Sequence, residues 1–174
     1  IMNIGIFMLP YLPIIGGAQT QAHGLATALK NLDNDVTVYA SKKCVNNINK
    51  NGWVLNYKLK PCNSAKYPLL SISRGLWYQL TKKSIIDCII SDKIEIVQLI
   101  MSWPWICVAK DIKKLGKPII LRTAGDDIQT DNDLDYGVRL SKKRNNLILN
   151  SLNYVDNFIA ISDSIREEYL KLNI

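Results

Sequence analysis

Gly16 and Gly17 stand between an apolar run, Ile4, Ile6, Phe7, Met8 and Leu9, and a segment in which Ala18, Ala22, Leu25, Ala26, Leu29 and Leu32 recur at steps of three and four. The run predicts a short buried strand that ends at Pro10 and Pro13, and the periodic segment predicts an amphipathic helix. Two glycines at such a junction let the backbone bend sharply and come close to a ligand. The first N–H groups of the helix have no partner inside it and carry the positive end of its dipole. The chemistry this predicts is anion binding. A phosphate placed there gains about 0.3–1 kcal/mol from the dipole, enough to orient it and too little to hold a nucleotide unaided. A tight turn with no ligand is the competing reading of the same pair.

Other chemistries find less to work with. Cys44, Cys62, Cys88 and Cys107 are far apart and unaccompanied by histidine, so the expectation is reduced, mostly buried thiols and no metal site. His23, the one histidine, falls on the polar edge of the first helix and reads as a surface residue. No Gly-x-Ser-x-Gly elbow is present and no Walker lysine follows the glycines, which leaves a small self-contained phosphate enzyme without support. The formal charge of +7 and pI of about 9.2 favour acidic partners such as phosphates or anionic lipid head groups. The lysines come in small sets, Lys42-Lys43, Lys82-Lys83 and Lys142-Lys143-Arg144 among them, without the interleaved aromatics that stack bases. Nucleic acid is therefore not expected as a partner. With 174 residues, 48% apolar and 21% charged, the composition is that of one soluble globular domain. No apolar run reaches the roughly 18 residues of a membrane span and no leader pattern opens the chain, so a cytoplasmic setting is expected.

The elements that must position the diglycine follow in a regular alternation. Val36 to Ala40 reads as a second strand, Lys42 to Gly52 as an asparagine-rich loop, and Trp53 to Leu59 as a third strand. A loop from Pro61 to Pro68 leads to a helical stretch, Leu69 to Ser91, in which Leu69, Ile72, Leu76 and Leu80 share a face and Gly75 weakens the middle. Ile94 to Met101 is an almost entirely apolar strand, Ile106 to Leu115 a helix stopped by Gly116 and Pro118, and Ile119 to Thr123 the fifth strand. A polar loop from Gln129 to Asp135 precedes a long helix from about Tyr136 to Tyr154. Asn157 to Ile161 forms a last strand, and Ser162-Asp163-Ser164 caps the final helix, with Ser164 and Glu167 at capping-box spacing. The pattern predicts an α/β fold: a doubly wound, mostly parallel Rossmann-like sheet with helices on both faces. Ligands of such sheets sit beyond the C-terminal strand ends, which places Pro10 to Gly17 and Ala124 to Asp127 on one rim. A dinucleotide cofactor is not predicted, because the first turn lacks Gly-x-Gly-x-x-Gly and the second strand ends in Ala40-Ser41 without an acid.

Taken in order, several short motifs resemble the N-terminal, acceptor-side domain of family-4 glycosyltransferases of the GT-B fold. They are the diglycine, Leu25-Ala26-Thr27-Ala28-Leu29, Asp35-Val36-Thr37-Val38, Glu95-Ile96-Val97, Gly116-Lys117-Pro118-Ile119-Ile120, Gly125-x-Asp127, and Phe158-Ile159-Ala160-Ile161-Ser162. The resemblance runs over nearly the full length. It implies a retaining transfer of a sugar from a nucleotide-diphosphate sugar to a glycan or lipid-linked acceptor, in a cleft between two domains, with no metal. It also implies that Gly16 and Gly17 approach the donor's diphosphate and sugar. Arg122, Gly125, Asp126, Asp127 and Tyr136 would form the loop beside the sugar and acceptor, with Arg122 either neutralising a phosphate or pairing with Asp126 or Asp127.

Two features depart from the family pattern. Ala124 stands where a histidine is common, and no glutamates seven residues apart occur among Glu95, Glu167 and Glu168. The expectation is a single N-terminal domain whose nucleotide-binding C-terminal partner is absent, inactive alone and possessing lysines that would suit peripheral contact with an anionic membrane. A noncatalytic sugar- or phosphate-binding scaffold subunit, pairing with a separate nucleotide-binding chain, is the alternative.

Overall fold

Alternating strands and helices wind into one sheet flanked on both sides. In chain order the elements are β1 (Asn3–Phe7), α1 (Gly17–Asn31), β2 (Asp35–Ala40), α2 (Lys42–Lys50), β3 (Lys58–Pro61), α3 (Tyr67–Ile72), α4 (Arg74–Ser91), β4 (Ile96–Ile100), α5 (Ala109–Lys114), β5 (Ile119–Arg122), α6 (Lys142–Leu152), β6 (Asn157–Ile159) and α7 (Asp163–Lys171). Short 3-10 turns span Trp105–Val108 and Val138–Leu140. The computed structural model describes residues 1–174, the Tyr67 side chain excepted. The strand order is β3-β2-β1-β4-β5-β6 and every pairing is parallel. The chain leaves β1 towards one edge and returns to β4 on β1's other side, so a crevice opens between the C-terminal ends of β1 and β4.

Two apolar layers follow from the two-residue period of the strands. Ile4, Ile6, Val36 and Val38 face α1 and α2, meeting Ala22, Ala26, Val45 and Ile48. Phe7, Tyr39, Val97 and Leu99 point the other way, against Trp77, Ile85, Ile89, Ile112 and Ile148. The doubly wound α/β expectation holds. Among the described residues no helix is long and apolar enough to cross a membrane.

The structure corrects several local expectations. Lys42 to Lys50 is helical: Ser41 Oγ accepts the Cys44 amide at 3.3 Å as an N-cap, and Cys44, Val45 and Ile48 bury one face of an otherwise polar segment. The third strand begins only at Lys58, where pairing with Thr37 starts. In α4 the inward face is Trp77, Thr81, Ile85 and Ile89, while Ile72, Leu76 and Leu80 are exposed. The deciding contacts are polar. Trp77 Nε1 donates to the Ala65 carbonyl at 3.0 Å and Thr81 Oγ1 accepts the Ala65 amide at 3.1 Å, so the indole buries its bulk without stranding its N–H. The helix expected over 136–154 starts at Lys142. Before it, Gly137 at φ +116 cannot be helical, and a Cβ there would lie 2.3 Å from the Gln129 carbonyl oxygen. The last helix is capped within the expected Ser162-Asp163-Ser164 stretch, by Ser162, whose Oγ accepts the Ile165 amide at 3.3 Å, so the Ser164–Glu167 spacing is not the cap.

Candidate functional site

One wall of the crevice is the start of α1. Gly16 caps it in an extended conformation with no side-chain cap, and its carbonyl accepts the Thr20 amide at 3.0 Å. The amides of Gly17, Ala18 and Gln19 have no partner among the described residues, and the first turn holds no acidic side chain. Gln19 is buried and sends its Nε2 back to the Pro10 carbonyl at 3.0 Å, which pins the loop behind the helix. The same loop is bolted at Tyr11, whose hydroxyl lies 2.5 Å from that of Tyr57, itself 2.6 Å from His23 Nδ1. His23 is thus partly buried and bonded, which corrects the reading of it as a mere surface residue.

The facing wall is the end of β5. Arg122 is only 8% exposed, and its Nη1 has no hydrogen-bond partner. Burial lowers its pKa, the Asp127 charge opposes that shift, and the guanidinium keeps its proton regardless. Among the described residues no carboxylate lies within ion-pair distance of it. Of the two roles implied for Arg122, pairing with a neighbouring aspartate is not the one this geometry provides.

Asp127 is fully buried, and its carboxylate is used internally. It accepts the amides of Ser102 at 2.6 Å, Ala124 at 2.8 Å and Gly125 at 3.1 Å, while the Ser102 hydroxyl donates to the Asp127 carbonyl at 2.9 Å. Burial raises its pKa and the backbone donors oppose the rise. Asp127 therefore holds the loop after β5 against the end of β4. Asp126, beside it, has a carboxylate without a partner and faces the crevice. Tyr136 stands farther along the rim, its hydroxyl 2.7 Å from where a Gly125 Cβ would sit. Burial, then the charges of Asp126 and Asp127, raise its phenol pKa.

Between the walls lies a cavity of about 340 Å³ lined by Gly17, Ala18, Gln19, Gln21, Met101, Arg122, Ala124, Asp126 and Ile161. The structure thus brings Gly17, Arg122 and Asp126 together, with Gly16 just behind, and leaves Asp127 inside the wall and Tyr136 on an adjoining shelf. Gln19, Gln21 and Met101 were not anticipated from the sequence. Gln19 and Gln21 follow the diglycine by one helical turn, and Met101 is the first residue past β4 at the switch point, so strand-end reasoning reaches all three. Met101 adopts φ +66 with its amide donating to the Arg122 carbonyl at 3.0 Å. A methionine in the left-handed region costs about 1–2 kcal/mol, a strain the packing holds at the cleft floor. Three unpaired amides opposite one unpaired guanidinium can bind an anion with oxygens on two sides, as a diphosphate has.

Comparison with known proteins identifies the fold and the family. Among solved structures, sucrose-phosphate synthase from Thermosynechococcus elongatus superposes with a TM-score of 0.65 at 12% identity, covering 98% of this chain and 44% of that one. MurG of Acinetobacter baumannii gives 0.52 at 13% identity over 70% of this chain and 35% of that one. The Streptomyces glycosyltransferase SsfS6 gives 0.50 at 15% over 99% and 47%. At such identities the likeness is one of fold, that of GT-B glycosyltransferases, and the chain spans less than half the length of each neighbour. A search of curated protein sequences returned no match. The model of Glycosyltransferase Family 4 matches residues 15–174, from the diglycine loop to α7. The chain belongs to Glycosyltransferase Family 4 and carries a glycosyltransferase scaffold.

Proposed function

We propose that this chain is the acceptor-side half of a retaining glycosyltransferase that transfers a hexose-like sugar from a nucleotide-diphosphate sugar to a glycan or lipid-linked acceptor. The observation that carries the reading is one cavity lined on one side by the start of α1, with its unpaired amides from Gly17 to Gln19, and on the other by Arg122, a buried cation that pairs with no carboxylate among the described residues. As the glycosidic bond to the donor breaks, negative charge grows on the departing diphosphate. Preorganised donors aimed at that charge stabilise it without reorganisation. Asp126 and Tyr136 line neighbouring parts of the same rim, where this reading would seat the acceptor. The base of the nucleotide would be held by a second, nucleotide-binding lobe, and that lobe is the partner this reading requires. Action at the inner face of a membrane fits the exposed lysines Lys42 and Lys43, and a salt-sensitive association with anionic vesicles would support it.

The test is calorimetric titration of the chain with pyrophosphate. The chain binds it, and Arg122→Gln weakens binding by about tenfold or more. Binding unchanged in Arg122→Gln removes the basis of the reading. Sugar transfer by the chain alone would show that no second lobe is needed.

A further inference from the structure

Beside the diphosphate cavity the rim carries a second depression, of about 360 Å³, lined by Gln129, Thr130, Asp131, Leu134 and Tyr136. The loop that forms it is firmly held. Asp131 and Tyr136 pair through both backbone hydrogen bonds, 2.8 and 2.9 Å, and Val138 N donates to the Asp126 carbonyl at 2.7 Å. Arg139 braces it from behind, pairing with Glu168 at 2.9 Å and donating to Asn145. Tyr136 is 41% exposed and its hydroxyl overhangs Gly125, the residue before Asp126, which lines the cavity. The Thr130 hydroxyl and the second carboxylate oxygen of Asp131 have no partner.

We propose that this shelf binds a saccharide ring of the acceptor, and that the ring is neutral or bears an amine. An exposed aromatic face beside free hydroxyl and carboxylate groups matches a pyranose. The ring's C–H face lies on the electron-rich side of the phenol, and its hydroxyls donate to the oxygens around it. Charge selects among saccharides. Asp126, Asp127, Asp131, Asp133 and Asp135 fall within ten residues, and no lysine or arginine occurs between Arg122 and Arg139. Among the described residues no cation pairs with Asp126, Asp131, Asp133 or Asp135. In a chain of net charge +7 this is a local field of the opposite sign, which repels a uronate or sugar phosphate within a Debye length of about 8–10 Å. The shelf's role as an acceptor site rests on the transferase reading. Its affinity for a saccharide does not.

The experiment is saturation-transfer NMR on the chain with three methyl glycosides: a neutral hexoside, a 2-amino-2-deoxyhexoside and a hexuronoside. The first two bind, and the uronoside binds about fivefold or more weakly. Tyr136→Ala weakens binding by about tenfold, and Tyr136→Phe keeps most of it. Replacing Asp131, Asp133 and Asp135 by Asn brings the uronoside up to the neutral sugar. No signal from any of the three, a uronoside preferred by the unaltered chain, or binding indifferent to Tyr136→Ala each overturns the proposal. Pyrophosphate titration of the same samples keeps the two readings apart. Saccharide binding without pyrophosphate binding supports the shelf and removes the transferase role, whereas pyrophosphate binding without saccharide binding overturns the shelf alone.

Discussion

Replacing Arg122 by methionine should stabilise the fold and remove its ligand. The guanidinium is almost entirely buried and its Nη1 bonds to nothing, a state that costs about 1–3 kcal/mol for a buried donor and more when the donor is charged. Attraction to Asp127 offsets part of that cost. Methionine keeps most of the aliphatic stem and fills irregular space, so the expected net gain is about 1 kcal/mol, or roughly 2–4 °C in Tm for a chain of this size. Pyrophosphate loses a charge-assisted hydrogen bond of about 1.5–3 kcal/mol, a tenfold to hundredfold drop in affinity. Urea unfolding with and without pyrophosphate reads both effects at once. At a ligand concentration about a hundred times Kd, the unaltered chain gains about 2.7 kcal/mol, and Arg122→Met gains little. A variant that is less stable than the parent, or that pyrophosphate stabilises equally, refutes the assignment of Arg122 as an anion ligand held in wait.

Other outcomes follow from the same contacts. Gly137→Ala puts a methyl 2.3 Å from a backbone oxygen at a positive φ, so it should lower stability by about 2–3 kcal/mol in urea unfolding and loosen the Tyr136 loop. Asp127→Asn must set an amide N–H against backbone donors, and thermal unfolding should show a loss of about 1–3 kcal/mol. On the acid side, Asp92, Asp111 and Asp156 have folded pKa values below the ordinary one. Burial pushes each up, and the bonds from Lys60 and Tyr39, from Tyr78 and Lys82, and from Lys113 and the Ile119 amide carry each below it. A depressed carboxylate pKa gives stability that is present above the unfolded value, near 3.9, and lost as pH falls through the folded one. The urea midpoint should therefore drop below about pH 4, and Asp156→Asn should flatten that limb.

The sheet was legible because each strand carries its own evidence: short β-rich runs, punctuation by Gly and Pro, helices between. The rim was legible for the same reason, since Gly16-Gly17 and Ala124–Asp127 follow strands whose C-terminal ends must lie together. Where sequence failed, two patterns competed or composition misled. In α4, Leu76-Leu80 and Trp77-Thr81-Ile85-Ile89 are ladders one residue apart, and the second won through its bulk and through partners on Ala65 that no periodicity displays. In α2 three buried residues among asparagines and lysines were enough, once Ser41 capped them. The roles of the aspartates were out of reach, because neighbours in sequence face opposite ways: Asp126 into the cavity, Asp127 into the protein. That Arg122 has no counter-charge is likewise a fact of three dimensions.

Asp127 also decides which half of the cleft is the anvil. One carboxylate clamps the Ala124-Gly125 turn to the residue two past β4, so the Arg122 side and the floor travel as a single block. Opposite it, the diglycine approach bears Ile14 and Ile15 in the open and is moored only through Gln19, Tyr11 and their neighbours. Whatever tightening accompanies ligand capture must then come from that moored side, like a hammer falling on a fixed plate. Among the amides of the rim, exchange should be slower at Ala124 and Gly125 than across Ile14 to Gly17.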